Sequence, residues 1–128
     1  MRRLPTLLIA AGLLASAPLH AQVPLRDVVL VGSNWDGTAE IFDPHTFKVL
    51  KRIDIVPDRD ERMKEIAESG IRRRVTFQLV RQVIGEGHDQ LVDDLFPSRD
   101  GRYIYASRPS FADAVAIDID TGKIAWRT

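Results

Sequence analysis

The sequence predicts a mainly β fold in which two antiparallel meanders flank a helical insertion around residues 58–84. Short apolar runs alternate with turn-forming dipeptides within residues 28–55 and within residues 90–127, which is typical of short antiparallel strands. The pattern of the first meander returns without a gap in the second when Val28 is aligned with Tyr103. Between the two copies the apolar residues follow helical spacing instead. Together these observations favour two related β units separated by a small helical segment.

The amino terminus has the pattern of a secretory signal peptide. Arg2 and Arg3 supply the positive start, residues 4–15 form an apolar run, and Ala21 offers a small residue for cleavage. The run is too short to span a membrane as a helix. We therefore predict that residues 1–21 are removed and that the mature protein is periplasmic or secreted. A buried helix of the fold is the alternative interpretation.

Composition limits what the mature chain can bind. Removal of residues 1–21 leaves residues 22–128 with a formal net charge of −2, because two arginines leave a chain with 18 basic and 18 acidic residues. A nucleic acid partner needs a basic face, so none is expected. No second apolar run is long enough to span a membrane, and the lack of Cys rules out disulfides.

The first unit has three predicted strands, which are Val28–Val31, Ala39–Asp43 and Lys48–Ile55. Trp35 lies at the loop tip between the first two strands, where packing over a neighbouring unit is favoured over contact with a ligand. His45 lies in the turn after the second strand and is expected to be exposed to solvent.

The insertion is assigned to residues 57–88 because the spacing of the two units is too long for one repeat alone. A first helix is predicted after Pro57, where Asp58 and Glu61 have the spacing of a capping box. This helix is expected to end at Ser69-Gly70, since glycine commonly follows a helix.

Two further features of the insertion follow from spacing. Asp60 and Lys64 have the i,i+4 spacing on the predicted helix and are expected to form an ion pair. The run Val75–Ile84 fits both helix and strand spacing, and we favour a helix that ends at Gly85. The preceding run Arg72–Arg74 is predicted to be a solvated helix start, with an anion site as the alternative.

The second unit has four predicted strands, which are Gln90–Phe96, Tyr103–Ser107, Ala114–Ile119 and Lys123–Arg127. Asp100-Gly101 and Thr121-Gly122 have the chemistry of tight turns between them. The gap-free alignment of the two units places four residues of the first on identical residues of the second. These are Ala39, Asp43, Thr46 and Lys48, which fall on Ala114, Asp118, Thr121 and Lys123.

Two segments of the second unit carry a family resemblance. Ser98-x-Asp100-Gly101-x-x-x-Tyr105-x-Ser107 resembles the repeat of YVTN-type bacterial β-propellers. Ala116-x-Asp118-x-x-Thr121-Gly122-Lys123-x-x-Trp126 is similar to the tryptophan-docking motif of quinoprotein propellers. The residues to which the resemblance gives a structural role are Asp100, Gly101, Asp118, Thr121, Gly122, Lys123 and Trp126. The first unit has Lys51 at the Trp position and departs from the motif there.

The resemblance covers about residues 27–56 and 89–127. It implies that residues 22–128 form a partial β-propeller of about two blade-like meanders, with Trp126 packed between adjacent blades. Propellers close with about four to eight blades. The chain is therefore expected to be the amino-terminal part of a longer protein, with the missing downstream blades as its partner. A small complete sandwich-like domain is the alternative.

Three candidate metal ligands lie at the predicted inner strand, with His88 and Asp89 directly before it and Asp93 within it. In a propeller the innermost strand lines the central channel, so these side chains and Asp94 are expected near its mouth. Neutral His and carboxylates suit a divalent metal or acid–base chemistry. We favour a structural corner in which His88 and Asp89 satisfy loop amides, with metal or substrate contact as the alternative. No residue is predicted to be catalytic.

The resemblance implies an exported binding or interaction module of the propeller type, whose ligand is an unknown small molecule or protein. The alternative is an enzyme, either a quinoprotein-type dehydrogenase or a metal-dependent propeller hydrolase. The docking motif holds blades together and is not a set of cofactor ligands, so it does not favour a dehydrogenase. The cofactor is unknown, and this segment requires none. A propeller is a scaffold with many functions, and the fold alone does not decide between these possibilities.

Overall fold

The computed structural model describes residues 25–128, so the predicted signal peptide lies outside the described residues. The strands are β1 (Val29–Ser33), β2 (Thr38–Phe42), β3 (Val49–Asp54), β4 (Leu95–Pro97), β5 (Tyr103–Arg108), β6 (Asp113–Asp118) and β7 (Ile124–Arg127). The helices are α1 (Arg59–Glu68) and α2 (Ile71–Leu79), followed by a π-helix at Val80–Ile84, and a 3-10 turn lies at Pro109–Phe111.

The strands form two antiparallel sheets, one of three strands in the order β1-β2-β3 and one of four in the order β4-β5-β6-β7. Each strand pairs with its neighbour in sequence, which is a meander. The predicted pairing of the first two strands of the first unit is confirmed, and so is the pairing of Tyr103–Ser107 with Ala114–Ile119. The mainly β prediction with a helical insertion is therefore correct at this level.

The two sheets have the same register under the alignment of Val28 with Tyr103. Leu30 pairs with Ile41 in the first sheet, and Tyr105 pairs with Ala116 in the second. The next pair outward also corresponds, since Ile41 lies opposite Lys51 and Ala116 lies opposite Trp126. Each sheet also has one irregularity that shifts its pairing register. The shift lies directly after Ile41 in the first sheet and directly after Ala116 in the second.

The same turn follows the second strand of each matched pair, in the way an Asx turn closes a hairpin. Oδ1 of Asp43 accepts the backbone N–H of Thr46 at 2.8 Å, and Oδ1 of Asp118 accepts that of Thr121 at 2.9 Å. Both aspartates therefore hold their turns by bonds to nearby amides. His45 lies in the first of these turns and is exposed, as predicted.

The sheets pack face to face over a continuous apolar core. Side chains alternate along a strand, so each sheet buries one set of positions. The buried set is Ala39, Ile41 and Ile53 in the first sheet and Ile104, Ala106, Val115 and Ile117 in the second. Gly32 lies at a close approach of the two units, because a Cβ there would be 2.8 Å from Cγ1 of Val92.

The buried faces of the two sheets are not equivalent. Leu30 and Ile41 face the core from the first sheet. Their counterparts in the aligned second unit, Tyr105 and Ala116, lie on the face of the second sheet that points away from the core. The first sheet therefore buries one face of the aligned pattern, and the second sheet buries the opposite face. We call this arrangement head-to-tail stacking. In a two-fold sandwich, both sheets would bury the equivalent face.

The predicted inner strand Gln90–Phe96 is only partly formed. A regular strand begins at Leu95, and the preceding residues are irregular. Leu91 and Val92 are both buried, at 0% and 2% exposure, which the alternation of a strand does not permit on a sheet with one buried face. The backbone N–H of Leu91 bonds instead to the carbonyl of Asn34, which ties this segment to the first sheet.

Two details of the predicted helix start are wrong. Asp58 makes no capping hydrogen bond to α1, because its carboxylate is bound by Arg108 and Arg127. Lys64 lies 3.9 Å from Glu68 rather than pairing with Asp60.

The second part of the insertion is helical, as predicted. It widens into a π-helix in its last turn, where Gly85 donates its N–H to the carbonyl of Val80 at 2.9 Å. Arg72–Arg74 are exposed at the start of α2, in agreement with the solvated helix start. Within residues 25–128, no helix has both the length and the apolar character that a bilayer crossing requires.

Candidate functional site

The predicted polar corner is a tight backbone turn after the π-helix. Glu86 and Gly87 have positive φ values of 50° and 91°. The N–H of His88 donates to the carbonyl of Gly85 at 2.7 Å. Gly85 must be glycine, because a Cβ there would lie 2.0 Å from the carbonyl oxygen of His88. Gly85 and Gly87 therefore allow the sharp turn that leads into His88.

His88 stacks on Trp35 across the gap between the insertion and the first sheet. The two rings are nearly parallel, at 16°, with centroids 4.2 Å apart. Trp35 is 60% exposed. Trp35 therefore packs on the segment that leads into the second sheet, and much of its surface stays open to solvent.

Asp89 is held by arginines rather than by loop amides. Its Oδ2 lies 3.2 Å from Arg59 and its Oδ1 lies 3.5 Å from Nε of Arg81. The Asp89 side chain is only 12% exposed, so the two guanidinium groups compensate a mostly buried charge. This arrangement links the start of α1 to the π-helix, which is a structural role.

The three metal candidates do not form a metal site in the described part of the chain. Asp93 and Asp94 are exposed, and the backbone N–H of Asp94 bonds to Oγ of Ser107. Across residues 25–128, no group of three or more His, Asp or Glu side chains is arranged to hold a metal ion.

A buried network of arginines and carboxylates is the strongest polar feature, and sequence reasoning missed it. Arg108 is fully buried and binds Asp113 through two hydrogen bonds of 2.7 and 2.8 Å. Its other side binds Asp58 at 2.6 and 3.2 Å. Arg127 also binds Asp58, at 2.6 Å, and Arg62 lies 3.2 Å from Asp113. The network fastens α1 to the second sheet.

Asp58 and Arg108 of this network are charged at neutral pH. Burial by itself raises the pKa of Asp58, but hydrogen bonds from Arg108 and Arg127 outweigh it and hold this pKa below its ordinary value. Burial likewise disfavours charged Arg108, but its bonds to Asp113 and Asp58 raise its pKa. Groups locked in these charge states hold the fold together and do not exchange protons in the neutral range.

The free face of the second sheet carries a row of apolar side chains across all four strands. We call Phe96, Tyr105, Ala116 and Trp126 the outer row, because each lies opposite the next in the strand register. Phe96 is 61% exposed, Trp126 is 47% exposed and Tyr105 is 36% exposed. The Trp126 and Tyr105 rings stack at 5.9 Å, and Ala116, which lies between them, is buried.

The motif residues around the outer row shape its two turns. Oδ1 of Asp100 accepts the hydroxyl of Ser98 at 2.6 Å, and Gly101 has a φ of 69°. Gly122 closes the other turn with a φ of 67°. These turns lead into the strands that carry Tyr105 and Trp126, and they therefore position the outer row.

Lys51 lies at the place in the first sheet that corresponds to Trp126. Its Nζ donates to the carbonyl of Asp120 at 3.4 Å, across the boundary between the sheets. A cleft of about 580 Å³ opens beside it, lined by Leu30, Ile41 and Ile119 among others. In the first sheet, the residue at the position equivalent to Trp126 therefore contacts the neighbouring sheet.

No protein-family model, curated protein or solved structure matches the chain.

Proposed function

We propose that this protein is a propeller-type interaction module, and that its outer row binds the face of a further antiparallel β-sheet. The observation that carries the proposal is the head-to-tail stacking of its two sheets. Leu30 packs against the core in the first sheet, whereas the corresponding Tyr105 is 36% exposed in the second.

A head-to-tail contact leaves binding surface uncovered. In a two-fold pair, both members use the same surface, so no copy of it stays exposed. In a head-to-tail pair, the two members use different surfaces, so the second member still exposes the surface that the first member has buried. The free face here is aromatic and aliphatic, which is the composition of the buried centre of protein interfaces. A further sheet with aliphatic residues where the second sheet has Ile104, Val115 and Ile117 would fit this face as the second sheet fits the first.

The contact expected of Trp126 follows from Lys51. Lys51 reaches from the first sheet to the turn at Asp120 of the second. By the same geometry, Trp126 would reach the corresponding turn of an incoming sheet. The similarity of its segment to the tryptophan-docking motif implies the same role, and the aromatic ring would bury far more surface there than a lysine does.

Export is part of the proposal. It rests on the Arg2-Arg3 start, the apolar run and Ala21, which together predict a periplasmic or secreted protein.

The test uses the mature chain, residues 22–128, in sedimentation experiments over a range of concentrations. A second copy supplies a candidate sheet face, since Val29 and Val31 are exposed on the first sheet at 41% and 47%. We expect self-association that Tyr105→Lys combined with Trp126→Lys weakens at least tenfold. Trp35→Lys is the matched control, because Trp35 is an exposed tryptophan outside the outer row.

Circular dichroism must show that the charged variants keep their β content. A wild-type chain that stays monomeric at every concentration contradicts the proposal. Association that is unchanged by the outer-row variants contradicts it as well, because the binding face would then lie elsewhere.

A further inference from the structure

The insertion presents an apolar stripe on the side of α2 that faces away from the core. Its exposed residues are Ile71 (69%), Val75 (56%), Leu79 (59%), Val83 (69%) and Ile84 (66%). The first four follow one another at the i,i+4 spacing, which places neighbours along one side of a helix. Phe77 is buried on the opposite side and fixes the orientation of the helix.

The same segment is strongly basic. Between Gly70 and Gly85 it contains four arginines and no acidic residue. Arg73 and Arg81 lie near Glu65 and Asp89, whereas Arg72 and Arg74 have no carboxylate within ion-pair distance among residues 25–128. Arg74 also borders a shallow groove lined by Val75, Gln78 and Leu79.

We propose that the segment Ile71–Ile84 binds the surface of an anionic lipid bilayer. An amphipathic helix with aliphatic residues on one side and arginines beside them is suited to lie in the plane of a membrane interface. The apolar stripe would enter the boundary between headgroups and acyl chains. Arg72 and Arg74 would extend from its borders to lipid phosphates, since long basic side chains keep their charged ends at the polar layer.

The dimensions of the stripe favour a lipid surface over a stable protein partner. The α2 and π-helix segments have nine and five residues. At a rise of about 1.5 Å per residue they extend about 21 Å, and a helix is about 10 Å wide. The resulting footprint of about 200 Å² is far below the roughly 800 Å² that each partner contributes to a standard protein interface.

The experiment measures binding of the mature chain, residues 22–128, to vesicles. Vesicles of phosphatidylglycerol and phosphatidylcholine are compared with vesicles of phosphatidylcholine alone, at low and high salt. We expect preferential binding to the anionic vesicles, weakened by salt. Each arginine near an anionic surface strengthens binding about fivefold, so Arg72→Gln with Arg74→Gln should weaken it about 25-fold. Arg99→Gln, an exposed arginine elsewhere, is the control.

The apolar contribution is tested separately. Val75→Ser with Leu79→Ser should reduce binding to the background level, because both side chains are exposed and form the centre of the stripe. Phe47→Ser is the matched control, since Phe47 is 75% exposed in a turn of the first sheet.

The absence of Cys allows a site-specific reporter. An environment-sensitive fluorophore on Gln78→Cys, beside the stripe, should increase in emission on anionic vesicles. The same fluorophore on Lys48→Cys, in an exposed turn, should not change.

Three results overturn the lipid proposal. The first is equal binding to both vesicle types, and the second is binding that the serine pair leaves intact. The third is self-association that depends on Val75 and Leu79 without vesicle binding, which would assign the stripe to a protein contact. None of these results tests the outer row, so each proposal can fail without the other.

Discussion

The two sheets of this protein are built alike but buried differently. The pairings Leu30–Ile41 and Tyr105–Ala116 correspond residue for residue, and the register shift that follows them corresponds too. Leu30 nevertheless packs against the core, whereas its counterpart Tyr105 is 36% exposed on the outer face of the second sheet. Backbone pairing is therefore a property of each sheet alone, whereas burial at a given position depends on which sheet lies beside it.

The second difference lies in how each sheet is attached to the insertion. The second sheet holds α1 through Arg108, which is fully buried among carboxylates. The corresponding residue of the first sheet is Ser33, which is exposed. This network therefore fastens the insertion to one sheet, and the two units depend on the insertion to different degrees.

The largest expected effect comes from breaking that attachment. Arg108→Met would remove the buried guanidinium that joins Asp58 to Asp113 and would leave only Arg127 on Asp58 and Arg62 on Asp113. Breaking a buried ion pair in this way typically costs about 3–5 kcal/mol of unfolding free energy. Ser33→Ala changes the equivalent position of the first sheet and should stay within about 0.5 kcal/mol. Urea unfolding followed by circular dichroism measures both variants. A loss below about 1 kcal/mol in the Arg108 variant would contradict the structural role of the network.

A second pair of variants tests the burial difference directly. Ile41→Ala removes a core side chain and should cost about 2–5 kcal/mol. Trp126→Ala should cost much less in the isolated chain, because Trp126 is 47% exposed. If a further sheet covers the outer row, the cost of Trp126→Ala rises toward the roughly 3–5 kcal/mol that is typical of a buried Trp.

Unfolding of each variant should be measured alone and in the associated form of the chain. Equal destabilisation by Trp126→Ala in both forms would show that Trp126 packs only within its own sheet, against the proposed inter-sheet role.

The smallest effect concerns the matching turns. Phe47 has a left-handed φ of 54°, whereas the second sheet has Gly122 at the corresponding position with a φ of 67°. Phe47→Gly relieves a cost of about 1–2 kcal/mol for a non-glycine residue, offset by the larger entropy that glycine loses on folding. We expect a net stabilisation of about 0.5–1 kcal/mol.

The matched change, Gly122→Ala, should destabilise the chain by about 1 kcal/mol, because it introduces the same left-handed strain. Thermal unfolding of both variants measures the difference. Stabilisation by Gly122→Ala, or loss of stability in Phe47→Gly, would show that the two turns are not equivalent.

The local elements of this fold could be read from the sequence because their causes are local. Asp43 and Asp118 bond to amides only three residues away, and Gly101 and Gly122 adopt left-handed conformations that few other residues accept. The strand pairs follow from these turns, since a short turn leaves an antiparallel neighbour as the simplest partner. The helical insertion followed in the same way from the spacing of its apolar residues.

The candidate site was predicted less well, because its contacts join distant parts of the chain. Asp58 has the spacing of a helix cap, yet Arg108, far along the chain, takes its carboxylate. Asp89 was expected to satisfy loop amides, yet its carboxylate lies beside Arg59 and Arg81. A buried ion pair leaves no periodic pattern in the sequence, so the Arg108 network had no signal of its own.

The sequence by itself determined most of the strands and turns and the register that the two β units share, but not the irregular path of residues 90–94. Only the tertiary structure decided which face of each unit is covered and which charges meet. The physical reason is that side-chain alternation shows which residues share one face of a strand, but does not show which neighbouring element covers that face. Leu30 lies under the second sheet, whereas the equivalent Tyr105 lies at the open face, although both have the corresponding partner within their own sheet.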